Sequence, residues 1–384
     1  MITPGGLMLG YVLRHPIRAT VILIGGVILG TTGYFFSQIW LTFEAVATEE
    51  FNLQRASTAM LERDAAEVAD AAADLAEAER ILLEKFAASE LANSAIDDEL
   101  TAADVVVREQ GYSNPAAAGR PLPDEMFDAY LGVGSDESGV RADTIILALA
   151  PNDGAAPILV SLPRDLYVAN PCTGGWSRIN AGLGGCTDFA SGTELIALMV
   201  EGFTGIPIDH VARLSFDGFA GVVNALGGTG ICTEHPARDI NAGLDLPGGC
   251  IWADGATTLA WARSRNTEEL INGEWQLVAS SDFNRMRHQQ DILFQLAKAL
   301  ANFGSLGSLS SRLEAVAGAV RVDSGWAFGD AIATAWAYRG ISRDGVNRFS
   351  INVTDFRTGA GELVLAPTTN FNQLLAEVYP AAAR

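Results

Sequence analysis

The stretch from Ala19 to Phe43 carries no charged residue. An apolar run of that length is what a helix needs to cross the hydrocarbon core of a bilayer. It contains Val21-Ile22-Leu23-Ile24, Val27-Ile28-Leu29 and Tyr34-Phe35-Phe36. A cleaved leader has a shorter apolar core and a small-residue cleavage site, so 19–43 reads as an uncleaved transmembrane helix rather than a signal peptide or a buried core helix. Arg14 and Arg18 precede it, and the first acid in the chain is Glu44. Basic residues collect on the cytoplasmic side of a span. A cytoplasmic tail is therefore expected over 1–18, with everything beyond 43 outside the cell membrane.

The 384 residues carry a formal net charge of −21, which argues against nucleic acid as a partner. Four cysteines are present. Pairing of nearest neighbours, Cys172 with Cys186 and Cys232 with Cys250, closes two local loops and is the simplest arrangement. Disulfides need an oxidising compartment, which agrees with an outside location. A zinc site is the rival reading, but there is no Cys-x-x-Cys and there are only four histidines.

Residues 44–110 are rich in Ala, Glu and Asp, with Leu61, Val68, Leu75 and Leu82 at heptad spacing. This predicts a long acidic helical stalk, solvated or weakly self-associating as a shallow coiled coil. A linker is expected over 111–124, where Gly111, Pro115, Gly119, Pro121 and Pro123 cluster. A globular domain is expected over 125–384. In it, apolar strands at Thr144–Ala150, Ile158–Leu162, Val211–Phe216 and Val346–Val353 alternate with helical patterns at 192–203, 217–226, 257–263, 285–302, 310–319 and 327–338. That alternation predicts an α/β or α+β fold.

In so acidic a chain, arginines at element ends need a reason. Convergent arginines suit phosphate, and carboxylates beside them suit a divalent ion or a proton. Asp136 and Asp143 flank a strand junction and either share Mg²⁺ or serve as turn and cap residues. Arg164 and Asp165 follow Pro163 at the end of a buried strand, where open α/β sheets bind ligands; a structural ion pair is the alternative. Arg178 is a further basic contact or surface. Arg263 and Arg265 alternate around Ser264, near Arg285 and Arg287. Gln289 lies four residues after Arg285, on the same helical face, and a helix start carrying Arg and Gln seats phosphate well.

These residues sit in motifs that run in a familiar order: Ser-Leu-Pro-Arg-Asp at 161–165, Arg-Ile-Asn-Ala at 178–181, Ile-Asp-His-Val at 208–211, Phe-Asp-Gly-Phe at 216–219, Ala-Leu-Gly-Gly at 225–228, Trp-Ala-Arg-Ser-Arg at 261–265, and Asp-Phe-Asn-Arg-Met-Arg-His-Gln-Gln at 282–290. Over roughly 128–368 the chain resembles the LytR–CpsA–Psr family of membrane-anchored proteins. The resemblance implies an α/β/α sandwich with an apolar pocket for a lipid. It also implies Mg²⁺-assisted phosphotransfer of a glycopolymer from an undecaprenyl-pyrophosphate carrier to a peptidoglycan acceptor. The matching positions imply that Asp136 and Asp143 serve Mg²⁺ and pyrophosphate. Arg164, Arg263, Arg265, Arg285 and Gln289 would line the head-group site, with Arg178 and Arg287 as further contacts, and Asp165 would be a candidate to activate the acceptor hydroxyl. A polyprenyl-pyrophosphate pyrophosphatase or a non-catalytic envelope spacer are the alternatives. The chain departs from the pattern in an insertion over 266–281, a lid or acceptor contact, in Asn284 for the usual Gly, and in His288. Abundant Arg, Ala and Gly with only two lysines points to an actinobacterial source.

Overall fold

The computed structural model describes residues 46–90, 121–136, 138–280, 282–301, 312, 316–326 and 343–383. The expected transmembrane segment at 19–43 and the helix expected at 327–338 lie outside them. Among the described residues no helix is long and apolar enough to cross a membrane. In chain order the elements are β1 (Ala47–Glu49), α1 (Leu53–Glu90), β2 (Phe127–Ser135), β3 (Ala142–Pro151), β4 (Ile158–Ser161), β5 (Tyr167–Asn170), β6 (Gly175–Arg178), α2 (Gly192–Thr204), β7 (His210–Leu214) and α3 (Phe216–Ala225). There follow β8 (Thr229–Thr233), β9 (Ala237–Asp239), β10 (Leu244–Leu246), β11 (Gly249–Ala253), α4 (Gly255–Arg263), β12 (Asn266–Ile271), β13 (Glu274–Ser280), α5 (Asp282–Ala301), β14 (Val320–Asp323), β15 (Asn347–Ser350), β16 (Val353–Arg357), β17 (Leu363–Pro367) and α6 (Phe371–Val378). The described residues form two compact units, the first within 50–213 and 343–383, the second within 46–49 and 214–326.

The first unit is built on a sheet whose strands run β7-β2-β3-β4-β15. In β2, Phe127, Ala129, Leu131, Val133 and Ser135 point inward and the residues between them outward, the period-two pattern of a strand with one buried face. β3 is apolar almost throughout and pairs antiparallel with both β2 and β4. β15 adds parallel to β4. Leu131, Leu147, Val160, Leu195, Ile196, Phe203, Phe371 and Leu375 belong to one core shared by the sheet, α2 and α6. The expected mixed α/β architecture is therefore what forms.

The boundary expected at 125 is not where this core begins. Ala56 and Met60, one turn apart on α1, are buried in it. Leu122, expected in the linker, is buried too, and its N–H donates to Gly205 O at 2.8 Å. The cause lies at the start of α2. Ser191 caps that helix, and Glu194 returns a bond to the Ser191 N–H at 2.8 Å. The fully buried Glu194 carboxylate also accepts from the Asn52 N–H at 2.8 Å and pairs with Arg55 at 3.3 Å. A buried carboxylate demands such partners, and residues 52–55 supply them. Arg63 adds bonds to Cys172 O at 2.6 Å and Pro171 O at 2.9 Å. The acidic helix is thus fastened at its first turns, whereas its heptad residues Leu61 and Val68 are 67% and 69% exposed. The structure of 91–110 lies outside the described residues.

The second unit has two smaller cores. Val222, Val223, Leu226, Ala262, Ile292 and Leu296 join α3, α4 and α5. Ile231, Ala237, Leu244, Leu246, Ala253 and Ala260 pack α4 on the strands. Both expected disulfides form, Cys172–Cys186 in the first unit and Cys232–Cys250 in the second. The latter joins residues directly opposite each other on β8 and β11. Within the expected insertion, 266–280 form a hairpin that extends a sheet of order β10-β9-β12-β13. Its turn is Asn272-Gly273, with φ of 53° and 84°, the left-handed pair that a two-residue hairpin requires. Arg238 of β9 fastens it, bonding Glu268 at 2.8 Å and lying 4.1 Å over the Trp275 ring.

α4 and α5 meet at an aromatic joint. His288 stacks on Trp261 with ring centroids 3.8 Å apart, and its Nδ1 lies 3.2 Å from Trp261 O. Burial pushes the His288 imidazole down to about 4, against the bond to the Trp261 carbonyl, which raises it; the Arg287 charge lowers it further. The folded protein thus resists a proton that the unfolded chain takes up near pH 6.5. This part of the stability is complete above the unfolded value and is lost as pH falls from about 6.5 toward about 4. His288→Gln should remove that dependence. Between pH 7.5 and 4.5 the wild type should lose about 2 kcal/mol more than the variant in urea unfolding. Parallel pH profiles would contradict this.

Candidate functional site

In the first unit, the register of β3 and β4 places the charged residues. Ile146 pairs with Ser161, and the Leu162 N–H continues the ladder to Ile145 O at 2.9 Å. The chain then turns, with the Leu166 N–H donating to Pro163 O at 3.0 Å, and brings the Arg164 side chain to Asp143. Leu162 and Leu166 are buried on either side, so Arg164 and Asp165 are turned outward. Arg164 Nη1 meets Asp143 Oδ1 at 2.5 Å, Arg164 Nε lies 3.5 Å from Asp165 Oδ2, and Arg178 Nε lies 3.8 Å from Asp165 Oδ1. The result is a row of alternating sign, Asp143, Arg164, Asp165, Arg178, with every member partly exposed. Arg178 is held at the far end by a bond from Nη2 to Leu363 O at 3.2 Å. A guanidinium carries five N–H donors in a rigid fork, so Arg164 can hold its carboxylate partners and still present donors to an incoming anion.

Asp136 does different work. It opens the turn of the β2–β3 hairpin, where its N–H donates to Arg141 O at 3.0 Å and its carboxylate accepts from Ser138 Oγ at 2.7 Å. Burial pushes this carboxyl up, but the Ser138 hydroxyl, the Arg141 and Gly139 N–H groups and the Arg141 charge outweigh it and leave the group below its ordinary value. It is therefore a turn-forming residue in this structure, while Asp143 meets arginine. Among the described residues no three His, Cys, Asp or Glu side chains group as a metal cage. Mg²⁺ does not need one, since it is commonly held by one or two carboxylates plus phosphate oxygens and water. Asp143, partly exposed beside a phosphate-type arginine, fits that donor set.

In the second unit, the Arg-Ser-Arg loop hangs on a residue that the sequence reading passed over. Asp239 is buried. Its Oδ2 accepts from Ser264 Oγ at 2.9 Å, the Arg265 N–H at 2.9 Å and the Asn266 N–H at 3.0 Å. Its Oδ1 accepts from the Asn241 and Ala242 N–H groups at 3.0 and 3.2 Å. Burial raises the Asp239 carboxyl, yet these donors together hold it below the usual carboxylate range. Ser264 is fully buried between Asp239 and Thr267 Oγ1, 2.8 Å away. With Ser264 fixed inward, its neighbours Arg263 and Arg265 turn the other way. The signal present in the sequence was Asp239-Ile-Asn-Ala-Gly, the pattern of an Asx turn.

Arg263 ends α4 with its guanidinium 4.7 Å over the Phe216 ring. Gln289 of α5 donates from Nε2 to Ala262 O at 3.1 Å, so it joins the two helices beside Arg263. Arg285, one turn earlier on the same face, is buried. Arg287 is exposed and bonds Asn284 Oδ1, so it lies off that face. The structure thus groups Arg263, Gln289 and Arg285 around the α4–α5 joint and places Arg287 on the surface.

Replacing Asp239 by Asn keeps the shape but sets an NH₂ group against N–H and O–H donors. A loss of about 2 to 3 kcal/mol is expected, read as a lower midpoint in thermal unfolding. A loss below about 0.5 kcal/mol would show that the loop does not depend on this carboxylate.

The LytR-cpsA-psr family model matches residues 128–378. The probable cell wall biosynthesis protein LcpB of Corynebacterium glutamicum is 35% identical over 185 residues, covering 48% of this chain and 40% of that protein. The cell wall biosynthesis protein LcpA of the same organism is 28% identical over 300 residues, covering 70% and 55%. A polyisoprenyl-teichoic acid–peptidoglycan teichoic acid transferase, TagU, of Halalkalibacterium halodurans is 30% identical over 190 residues, covering 49% and 57%. The matched part thus spans about half the length of these curated relatives. Among solved structures, a LytR-Csp2A-Psr enzyme from Actinomyces oris superposes with a TM-score of 0.53 at 23% identity, covering 68% of this chain and 96% of that one. At that identity the likeness speaks for the fold. Motif order, mixed α/β fold and family model agree, and the chain belongs to the LytR-cpsA-psr family.

Proposed function

We propose that this chain transfers a glycopolymer from a polyprenyl-pyrophosphate carrier to peptidoglycan, as a phosphotransferase of cell-wall assembly. The observation that carries the reading is the row Asp143–Arg164–Asp165–Arg178, in which cations and carboxylates alternate at a strand end. The TagU relative is named as a teichoic acid transferase acting between a polyisoprenyl carrier and peptidoglycan, and the two Corynebacterium relatives are named for cell-wall biosynthesis.

The acceptor hydroxyl attacks the phosphorus that bears the glycan. An O–P bond forms there, the P–O bond to the carrier's phosphate breaks, and polyprenyl phosphate leaves with the electron pair. Asp165 takes the hydroxyl proton. Arg164 and Arg178 bind the non-bridging oxygens. Such transfer depends on positioning and charge neutralisation rather than on a covalent enzyme intermediate. Mg²⁺ would be held by Asp143 and phosphate oxygens and would offset the pyrophosphate charge. A three-layer α/β/α arrangement with an apolar pocket would house the lipid, and a span at 19–43 would keep the site near the carrier's membrane.

The test uses the purified full chain, a fluorescent oligosaccharide on a short polyprenyl pyrophosphate, and peptidoglycan fragments. Label should move to the fragments, stop when EDTA removes divalent ions, and resume with Mg²⁺. Arg164→Ala and Asp143→Ala should each reduce the rate roughly 100-fold or more. Release of labelled oligosaccharide phosphate to water alone, or full activity in both variants, would contradict the proposal.

A further inference from the structure

The β5–β6 hairpin leaves an aromatic surface next to the charged row. Tyr167 pairs with Arg178 and Ala169 with Trp176, so all four side chains project from one face of the hairpin. The opposite face, with Val168 and Asn170, is buried. Ala169 is exposed and small, so it leaves the rings beside it uncovered. The Tyr167 and Trp176 ring centroids are 5.9 Å apart.

A third ring comes from further along the chain. β17 attaches where the charged row passes, with the Leu365 N–H donating to Asp165 O at 2.9 Å. Its partner β16 then carries Phe356 to within 6.2 Å of the Tyr167 ring. Tyr167, Trp176 and Phe356 are each only partly buried. The hydrophobic core of this unit does not include them. Burial, and after it the Glu362 charge, raise the Tyr167 hydroxyl above its ordinary value, so it stays a donor at neutral pH.

We infer that Tyr167, Trp176 and Phe356 form a saccharide platform that seats the glycan acceptor beside Asp165. The inference rests on the proposed transfer for its choice of acceptor. Its chemistry follows from the surface itself. Partly exposed rings take the apolar C–H faces of a pyranose, as aromatic side chains do for other amphipathic ligands. Asp165 and Arg178 at one edge, the Tyr167 hydroxyl and the Glu362 carboxylate offer hydrogen bonds to ring hydroxyls and acetamido groups. A hydrocarbon chain would add no hydrogen bond to those groups, so a lipid fits the face less well. Arg178, directly opposite Tyr167, has its Nε 3.8 Å from Asp165 Oδ1, so a sugar on the rings lies next to that carboxylate.

The probe is chitotetraose, a chain of β-1,4-linked N-acetylglucosamine, titrated into the full-length protein and followed by saturation-transfer NMR. Wild type should bind it, Trp176→Ala roughly tenfold more weakly, and Trp176→Phe close to wild type. Asp143→Ala, which disrupts the pyrophosphate side, should retain chitotetraose binding. No binding to wild type, equal binding to wild type and Trp176→Ala, or displacement of the sugar by geranyl phosphate but not by a second glycan would overturn the inference. Thermal unfolding of each variant separates a lost platform from a lost fold, and Phe356→Ala provides a second, independent ring deletion. If chitotetraose binds through these rings while no transfer occurs in the donor assay, the transfer proposal fails and the platform stands.

Discussion

The Asp143–Arg164 contact is the interaction on which the candidate site depends. It follows from the end of the β3–β4 ladder, because after the Leu162 bond to Ile145 the chain turns and brings Arg164 against Asp143. A one-residue slip in either strand would turn one of them into the core, where an unpaired charge is costly. The buried flanking residues Leu162 and Leu166 oppose that slip. The charged row is thus a consequence of packing, and its exposed side remains available for an anion.

The second unit reaches the same end by a different route. Its arginines are aimed by a buried carboxylate. Asp239 gathers the donors of Ser264, Arg265 and Asn266, and burial of Ser264 sets Arg263 and Arg265 on the other side. The Trp261–His288 stack and the Gln289 bond to Ala262 then fix α5 to the end of α4. The two halves of the motif set are therefore held by rigid local networks rather than by long flexible side chains alone.

Much of this was legible in the chain. Apolar runs marked β3 and β4, and the helical patterns at 192–203 and 217–226 marked α2 and α3. Nearest-neighbour pairing of the cysteines proved correct. What escaped has physical reasons. Asp239 lies in an ordinary turn signature, and its role exists only once Ser264 folds back on it. Asp136 takes part in the turn, where Ser138 and Arg141 donate to its carboxylate, a role that emerges only once the hairpin closes. The docking of α1 was hidden because Ala56 and Met60 look unremarkable in an Ala-rich helix, and only the buried charge of Glu194 gives residues 52–55 something to bind. The hairpin at 266–280 carries a strong turn signal in Asn272-Gly273, but the strand it joins, β9, comes from further back in the chain, and its place in a sheet exists only in the fold.

We propose that Asp143, held by Arg164, turns a resting ion pair into a Mg²⁺-assisted pyrophosphate seat. The most direct measurement is calorimetric binding of geranyl pyrophosphate to the full chain, with and without Mg²⁺, in wild type and Asp143→Asn. Mg²⁺ should tighten binding in the wild type and leave the variant unchanged. The same Mg²⁺ dependence in both proteins, or none in either, would contradict the claim.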